Sequence, residues 1–372
     1  MSTRRFTEAS PNRRLPQFPW DRITSYRKLA GEHSGGLVDL SIGTPVDEVP
    51  QAIQRALSQA SARPGYPNVA GSPELQAAMR HWLDRHTQVP EHVGVLPTIG
   101  SKELVANLPW QLGLGAGDVV AIPHLAYPTY EVGGLLAKAT VVAASDPRDV
   151  EGVSLAWINY PANPTGEIAS VDYLRDLVAW ARANDVILVS DECYYQVWFD
   201  ANDWPTSVLD PRVNDGDLTG LIAAHSLSKR SNLAGYRAGF IAGDPHIIDQ
   251  LWQLRRHGGF IVPWPVQQAM IACLRDEEHA TEQRLRYGRR REVLTEAVQA
   301  AGFRIEHSKA GLYLWATRDE SCWDTMQYLA QLGILAGPGE FYGQAGANHV
   351  RIGLTATDER IAAAADRLRT GP

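Results

Sequence analysis

Cysteine is scarce: Cys193, Cys273 and Cys322 are the only three in 372 residues, far apart and in no C-x-x-C spacing. That usage excludes a disulfide framework and a cysteine-based zinc site, so no metal is expected and the thiols read as ordinary buried side chains. Long apolar runs are missing too. No stretch approaches the roughly eighteen consecutive apolar residues of a membrane span. Positive charge is not in excess, since 35 Lys plus Arg stand against 42 Asp plus Glu for a formal net charge of −7. A protein that grips nucleic acid needs clustered cations against the phosphates, and none is apparent. The opening stretch from Met1 to Arg14 carries Arg4, Arg5, Arg13 and Arg14 but no apolar segment. It is therefore not expected to be a signal peptide, and a cytoplasmic location follows. Lysine is also rare, with five (Lys28, Lys102, Lys138, Lys229 and Lys309) beside thirty arginines.

What is present suits a globular enzyme: 44% hydrophobic and 21% charged residues, in a chain longer than the roughly 100–200 residues of one domain. No internal repeat appears. Short apolar runs at Val93–Thr98, Val119–Ile122, Thr140–Ala143, Leu155–Ile158, Val186–Val189 and Leu221–Ala224 suit strands buried on both faces. Helical patterns such as Tyr130–Ala137 and Val171–Ala183 lie between them. The alternation predicts βαβ units and a mostly parallel sheet. After Pro263-Trp264-Pro265 an Arg-rich helical stretch leads to Phe303–Glu306 and Gly311–Ala316, read as strands of a smaller lobe. We expect an N-terminal segment at 1–45 packed on that lobe, a large domain at 46–285, and a small α/β domain at 286–372.

Ligands of open parallel sheets bind beyond the carboxyl ends of the strands. Polar residues follow each run: Gly100, Ser101 and Lys102; Tyr127; Asn163; Asp191; and Ser226 through Lys229. Lys28 and Lys138 sit in amphipathic helical patterns and Lys309 flanks a turn, so Lys229 is the candidate amine nucleophile by elimination. An amine attacks a carbonyl only when unprotonated, which a desolvated, cation-flanked setting favours.

Taken singly, these residues have plain structural readings. Asp191 reads as a helix cap, Asn163-Pro164-Thr165-Gly166 as a turn, Tyr127, Tyr66 and Tyr194 as packing aromatics, and Arg351 as a surface ion pair. Gly43 and Gly100-Ser101 read as a turn and a helix start, Ser226 as a strand-end turn, and Lys102 as a solvated first-turn lysine. Their joint order outweighs those readings, with 28 residues from Asn163 to Asp191, 38 from Asp191 to Lys229 and 8 from Lys229 to Arg237.

In that order the chain resembles the fold-type I pyridoxal-phosphate enzymes, in particular class I/II aminotransferases, over about residues 20–365. The resemblance implies a PLP-dependent transferase fold: a large domain whose mostly parallel seven-stranded sheet is sandwiched by helices, plus the smaller α/β domain. It implies pyridoxal 5′-phosphate as cofactor, held as a Schiff base by Lys229, which then shuttles the substrate proton. Ser226 and Arg237 match the family's phosphate ligands, joined by Gly100, Ser101 and Lys102 at a helix start. Asp191 matches the acid on the pyridine nitrogen. Tyr194 and Asn163 match the ring-hydroxyl partners, and Tyr127 the stacking aromatic. Arg351 matches the arginine for the substrate α-carboxylate, and Gly43 the N-terminal substrate loop. Tyr66 matches a tyrosine that crosses to a homodimer partner's phosphate. Tyr342 stands in Pro338-Gly339-Glu340-Phe341-Tyr342-Gly343 where phenylalanine is usual.

Cofactor motifs do not choose the reaction, because carbon–sulfur lyases and some decarboxylases share them. The segments Pro19-Trp20-Asp21, Val38 to Asp47 and Pro64 to Pro67 are similar to actinobacterial N-succinyldiaminopimelate aminotransferases of lysine biosynthesis. That implies ping-pong exchange with glutamate and 2-oxoglutarate, the keto acceptor being N-succinyl-2-amino-6-ketopimelate. An aspartate-like or LL-diaminopimelate aminotransferase and a cystathionine β-lyase-like enzyme are the alternatives. A second anchor for a multiply charged substrate is left open among Lys102, Arg230 and Arg255-Arg256. A regulator with a winged-helix domain is not expected, since only forty-two residues precede Gly43.

Overall fold

The computed structural model describes Ser10 and residues 14–371; Arg4, Arg5 and Arg13 of the opening stretch lie outside the described residues. In chain order the strands are β1 (Val38–Asp39), β2 (Gly94–Ile99), β3 (Val119–Pro123), β4 (Thr140–Ala144), β5 (Val153–Asn159), β6 (Ile187–Asp191) and β7 (Leu221–Ser226). They continue as β8 (Ala238–Gly243), β9 (Arg304–Glu306), β10 (Tyr313–Thr317), β11 (Ile334–Leu335), β12 (Gly337–Pro338) and β13 (Val350–Gly353). A seven-stranded sheet runs β2-β8-β7-β6-β5-β3-β4, parallel except that β8 opposes both its neighbours. The six apolar runs all became strands of this sheet, with ends shifted by two residues at most.

β8 was not foreseen as a strand. Its sequence, Ala-Gly-Phe-Ile-Ala-Gly, is poor in the branched and aromatic side chains that favour strands. Its reversal matters for the site. Register pairs Ile99 with Ala238 and Ser226 with Gly239, so the amino end of β8 meets the carboxyl ends of β2 and β7. Arg237, which precedes β8, is thereby delivered to the same rim as Ser101 and Ser226.

Both faces of the sheet are covered, so alternate strand residues enter different cores. Ala121, Ala156, Leu188 and Ala223 pack on one side with Leu75, Trp82, Leu177 and Met270. Val120, Leu155, Val189 and Ile222 pack on the other with Leu104, Leu108 and Tyr130. Truncating Ile222 to alanine in such a site costs about 2–5 kcal/mol.

The remaining strands form a four-stranded antiparallel sheet in the order β12-β13-β10-β9, beside the parallel two-residue pair β1-β11. A third core joins this sheet to the N-terminal segment through Ile23, Val38 and Leu40, and takes in Tyr287, Leu294 and Val298. Those last three belong to the helix Glu278–Ala300. Position 285 falls inside that helix.

Candidate active site

The carboxyl rim of the large sheet and the edge of the small one enclose a cavity of about 780 Å³. Eleven of the thirteen candidates from the sequence line it: Gly43, Ser101, Lys102, Tyr127, Asn163, Asp191, Tyr194, Ser226, Lys229, Arg237 and Arg351. Gly100 stands directly behind. Its φ of +72° favours glycine there, and the guanidinium of Arg237 occupies the place a Cβ would take. Tyr66 does not line this cavity and is 95% exposed.

Lys229 lies in the one-turn helix Leu227–Arg230 that follows β7, capped by the Ser226 hydroxyl accepting from the Ser228 N–H. Its Nζ donates to the Gly43 carbonyl. The lysine is thus held against the N-terminal loop at Ser41–Thr44. That loop is fixed to the small sheet in turn: Gly353 N–H donates to Leu40 O at 2.8 Å and Thr355 Oγ1 to Ile42 O at 2.8 Å.

Asp191 ends β6 and is buried. Burial pushes its carboxyl above the ordinary range, opposed by donors from Cys193 and Tyr130 and by the nearby Lys229 cation. Tyr130 Oη donates to Oδ2 at 2.7 Å, and the Cys193 N–H to Oδ1 at 3.1 Å. Tyr127 starts the turn into the helix Thr129–Ala137, and burial lifts its phenol to about 12. The Asn159 amide braces the rim, donating to Asp191 O at 2.7 Å while accepting the Asn163 N–H at 2.8 Å.

Arg351 is only 3% exposed. Its Nη1 donates to Asn163 Oδ1 at 2.9 Å and its Nη2 to Ser41 O at 2.7 Å, while its Nε is buried without a partner. The guanidinium lies 3.8 Å over the Tyr313 ring. Among the described residues no carboxylate comes within ion-pair distance of it. A buried guanidinium with neutral partners alone is costly, and its natural complement is an incoming anion that accepts a bidentate pair.

Sequence reasoning missed several wall residues: Phe18, Trp20, Arg27, Asn159, Tyr130 and Tyr313. Tyr130 lies in the first turn of the helix Thr129–Ala137, just past the end of β3, where polar groups beyond a strand end are expected. Tyr313 carried a signal only through strand register. Arg351 is opposite Trp315, so Tyr313 is its diagonal neighbour on the antiparallel partner. Of the proposed second anchors, Arg230 pairs with Glu277 at 3.4 Å and Arg255 with Glu103 at 2.9 Å, and neither reaches the cavity. Lys102 does, together with Arg27.

A lysine beyond a strand end, an anion-ready arginine and helix start at the same rim, and a buried acid opposite define a lysine-centred enzyme on a doubly covered, mostly parallel sheet. Residues 36–368 match the family model described as aminotransferase class I and II, and the chain belongs to that family. It is a transaminase whose cofactor is pyridoxal 5′-phosphate. The transaminase OxyQ of Streptomyces rimosus, which acts on 4-dedimethylamino-4-oxo-anhydrotetracycline by its name, is 52% identical over 359 residues, covering 96% of this chain and 99% of that one. LL-diaminopimelate aminotransferase of Dehalococcoides mccartyi is 31% identical over 372 residues, covering 93% of this chain and 94% of that one. The solved structure of a "probable N-succinyldiaminopimelate aminotransferase" from Thermus thermophilus matches with a TM-score of 0.85 at 25% identity, covering 95% of this chain and 100% of that one.

The cavity fits the cofactor. Gly100 makes room for the Arg237 guanidinium at the rim, where a Cβ would collide with it. The helix Ser101–Gln111 points its unpaired first-turn N–H groups to the same place.

Proposed function

We propose that this transaminase moves an amino group from glutamate to N-succinyl-2-amino-6-ketopimelate, and back, by a ping-pong exchange centred on Lys229. The observation that carries the reading is Arg351, a buried cation without an anionic partner in the cavity that also holds Lys229. An amino acid enters carboxylate first, and the Arg351 fork meets its two oxygens while Asn163 and Ser41 keep the fork in plane. The carboxylate then fixes the substrate α-carbon near Lys229 Nζ.

Bound pyridoxal 5′-phosphate supplies an electron sink for the carbanion at that α-carbon. Lys229 would have two tasks: to tether the cofactor and, once displaced by the substrate amine, to carry the α-proton on its Nζ between the substrate α-carbon and the cofactor. Asp191, held by Tyr130 and Cys193, would pair with the pyridine nitrogen and keep it protonated. Tyr194 and Asn163 serve the ring hydroxyl, and Tyr127 the ring face. Arg237, Ser226 and the first turn at Ser101 and Lys102 would hold the phosphate, with Tyr66 reaching across from a second copy of the chain in a homodimer. The N-terminal segment and the smaller C-terminal lobe act as one unit over a large cofactor-binding lobe, in the cytoplasm.

Support for the diaminopimelate class is twofold. A relative and a solved neighbour carry names of that class, and Lys102 adds a cation to the cavity wall, which suits a substrate with more than one carboxylate; Arg27 also lines the wall but pairs with Asp39 at 2.8 Å. The 52% identity to OxyQ favours a second reading, amine transfer onto a ring ketone, for which Phe18, Trp20 and Tyr127 provide aromatic walls.

The test is a pair of half-reactions followed by absorbance. Glutamate should bleach the visible band of the holoenzyme, and N-succinyl-2-amino-6-ketopimelate should restore it. Restoration by a polycyclic ketone and not by the keto acid would favour the second reading. Pyruvate and ammonia released from cystathionine, with no amino transfer, would sink both.

A further inference from the structure

The helix Glu278–Ala300 does not line the cavity, yet one of its faces holds Lys229 at both ends. Gln283, Tyr287 and Arg290 recur at the spacing of one helical face, and all three are buried. Tyr287 Oη donates to the Lys229 carbonyl at 3.1 Å. That carbonyl belongs to the one-turn helix Leu227–Arg230, which is too short to pair it internally. Gln283 and Arg290 hold the loop that the tip of the lysine meets. Gln283 Nε2 donates to Asp47 Oδ2 at 2.8 Å, and Arg290 grips the same carboxylate with Nη1 at 2.8 Å and Nη2 at 2.6 Å. Asp47 lies shortly beyond Gly43, whose carbonyl accepts from Lys229 Nζ. The amide of Asn232, on the chain just past the lysine, donates to Gln283 Oε1 at 3.0 Å.

We propose that Tyr287 is a positioning residue for Lys229: its phenol fixes the backbone from which the lysine side chain extends, and so aims Nζ at the substrate α-carbon. The inference rests on the proton-carrying role proposed for Lys229.

Leverage makes this one bond matter. An extended lysine places Nζ about 6 Å from its Cα, so a tilt of about 10° at the backbone carries Nζ through about 1 Å, a displacement that can cost about 10²-fold in a step needing close approach. Side-chain torsions recover that distance only by leaving their staggered wells. A single helical turn has few internal bonds to keep its direction. A helix of 23 residues is a stiffer reference. Because that helix also holds Asp47, the root of the lysine and the loop at its tip keep a fixed separation. Tyr287 itself moves no proton. Burial pushes its phenol above the ordinary value, so it keeps its hydrogen and serves as a donor.

Single-turnover bleaching of the holoenzyme's visible band by glutamate tests this, since its rate constant does not depend on the fraction of active enzyme. Tyr287→Phe keeps the buried ring and removes only the hydroxyl. Bleaching at saturation should slow about tenfold, while the half-saturating glutamate concentration stays within about threefold because Arg351 is untouched. Glutamate deuterated at the α-carbon identifies the step. Its isotope effect in Tyr287→Phe should be at least as large as in the wild type, because proton transfer is what slows. Tyr195→Phe is the control. Its hydroxyl makes a bond of the same kind, to His86 O at 3.1 Å, from a residue that does not line the cavity. Loss of that bond should leave bleaching within about twofold of the wild type.

Unchanged bleaching in Tyr287→Phe, or equal slowing in Tyr195→Phe, overturns the positioning role while leaving the transaminase reading intact. Slower bleaching with a smaller isotope effect also overturns it, since a step other than proton transfer would then depend on the phenol. A wild-type band that glutamate leaves unchanged refutes the proposed exchange at Lys229, and the inference falls with it.

Discussion

Asp191 and Glu192 are consecutive buried carboxylates at the end of one strand, and they face different worlds. Asp191 opens into the cavity, with Tyr130 and Cys193 as donors. Glu192 faces away, accepting from Ser207 Oγ at 2.9 Å and the Val208 N–H at 3.0 Å, with His225 Nε2 3.8 Å from its second oxygen. Burial raises both carboxyls, Glu192 to about 7. It also holds His225 down to about 3. A shifted carboxyl is therefore no mark of catalysis here. What separates the two is the face of the strand each side chain leaves from, and whether that face meets a cavity or a loop.

The contrast can be broken or sharpened by variants, from the largest expected effect downwards. On the cavity side, Lys229→Ala should lower kcat at least about 10³-fold, because the proposed tether and proton carrier are lost together. Thermal stability should change little, so a collapsed melting temperature would mean the lysine is structural. Asp191→Asn should lower kcat by about 10²-fold, with the melting temperature near the wild-type value. An active Asp191→Asn enzyme would remove Asp191 from the chemistry.

On the far side, Glu192→Gln keeps the acceptor oxygen for Ser207 and Val208, and kcat should stay within about threefold. Its signature is in stability against pH. A carboxyl whose folded value, about 7, lies above its unfolded one binds its proton more tightly when folded. That stabilisation is fully present below the unfolded value and is lost as pH rises through about 7. Glutamine has no proton to lose. Between pH 5 and pH 8 the variant should therefore gain on the wild type by about 2–3 kcal/mol, read from denaturant midpoints at the two pH values. A difference that is flat with pH would contradict the burial argument.

The same contrast explains what the sequence could and could not disclose. Asp191, Asn163, Ser226 and Lys229 were legible because short apolar runs mark the strands and chemistry gathers just past their ends. Arg237 was legible only by resemblance. The reversed strand that delivers it, Ala238–Gly243, carries too few branched side chains to announce itself. Tyr313 was illegible for another reason, since its relation to Arg351 exists only in the register of β10 on β13, across a separation no local pattern spans. Arg255 was misleading in the opposite sense. It stood in an Arg-Arg pair among the anchors left open, and the fold buries it and spends it on Glu103 and Gln111.

The central claim is that Lys229, alone among five lysines, carries the cofactor. Borohydride reduction of the holoenzyme followed by peptide mass spectrometry tests it directly. The account predicts the reduced pyridoxyl mass on the peptide containing Lys229 and on no other lysine. The same mass on Lys102, which shares the cavity, or on no lysine at all, would contradict it.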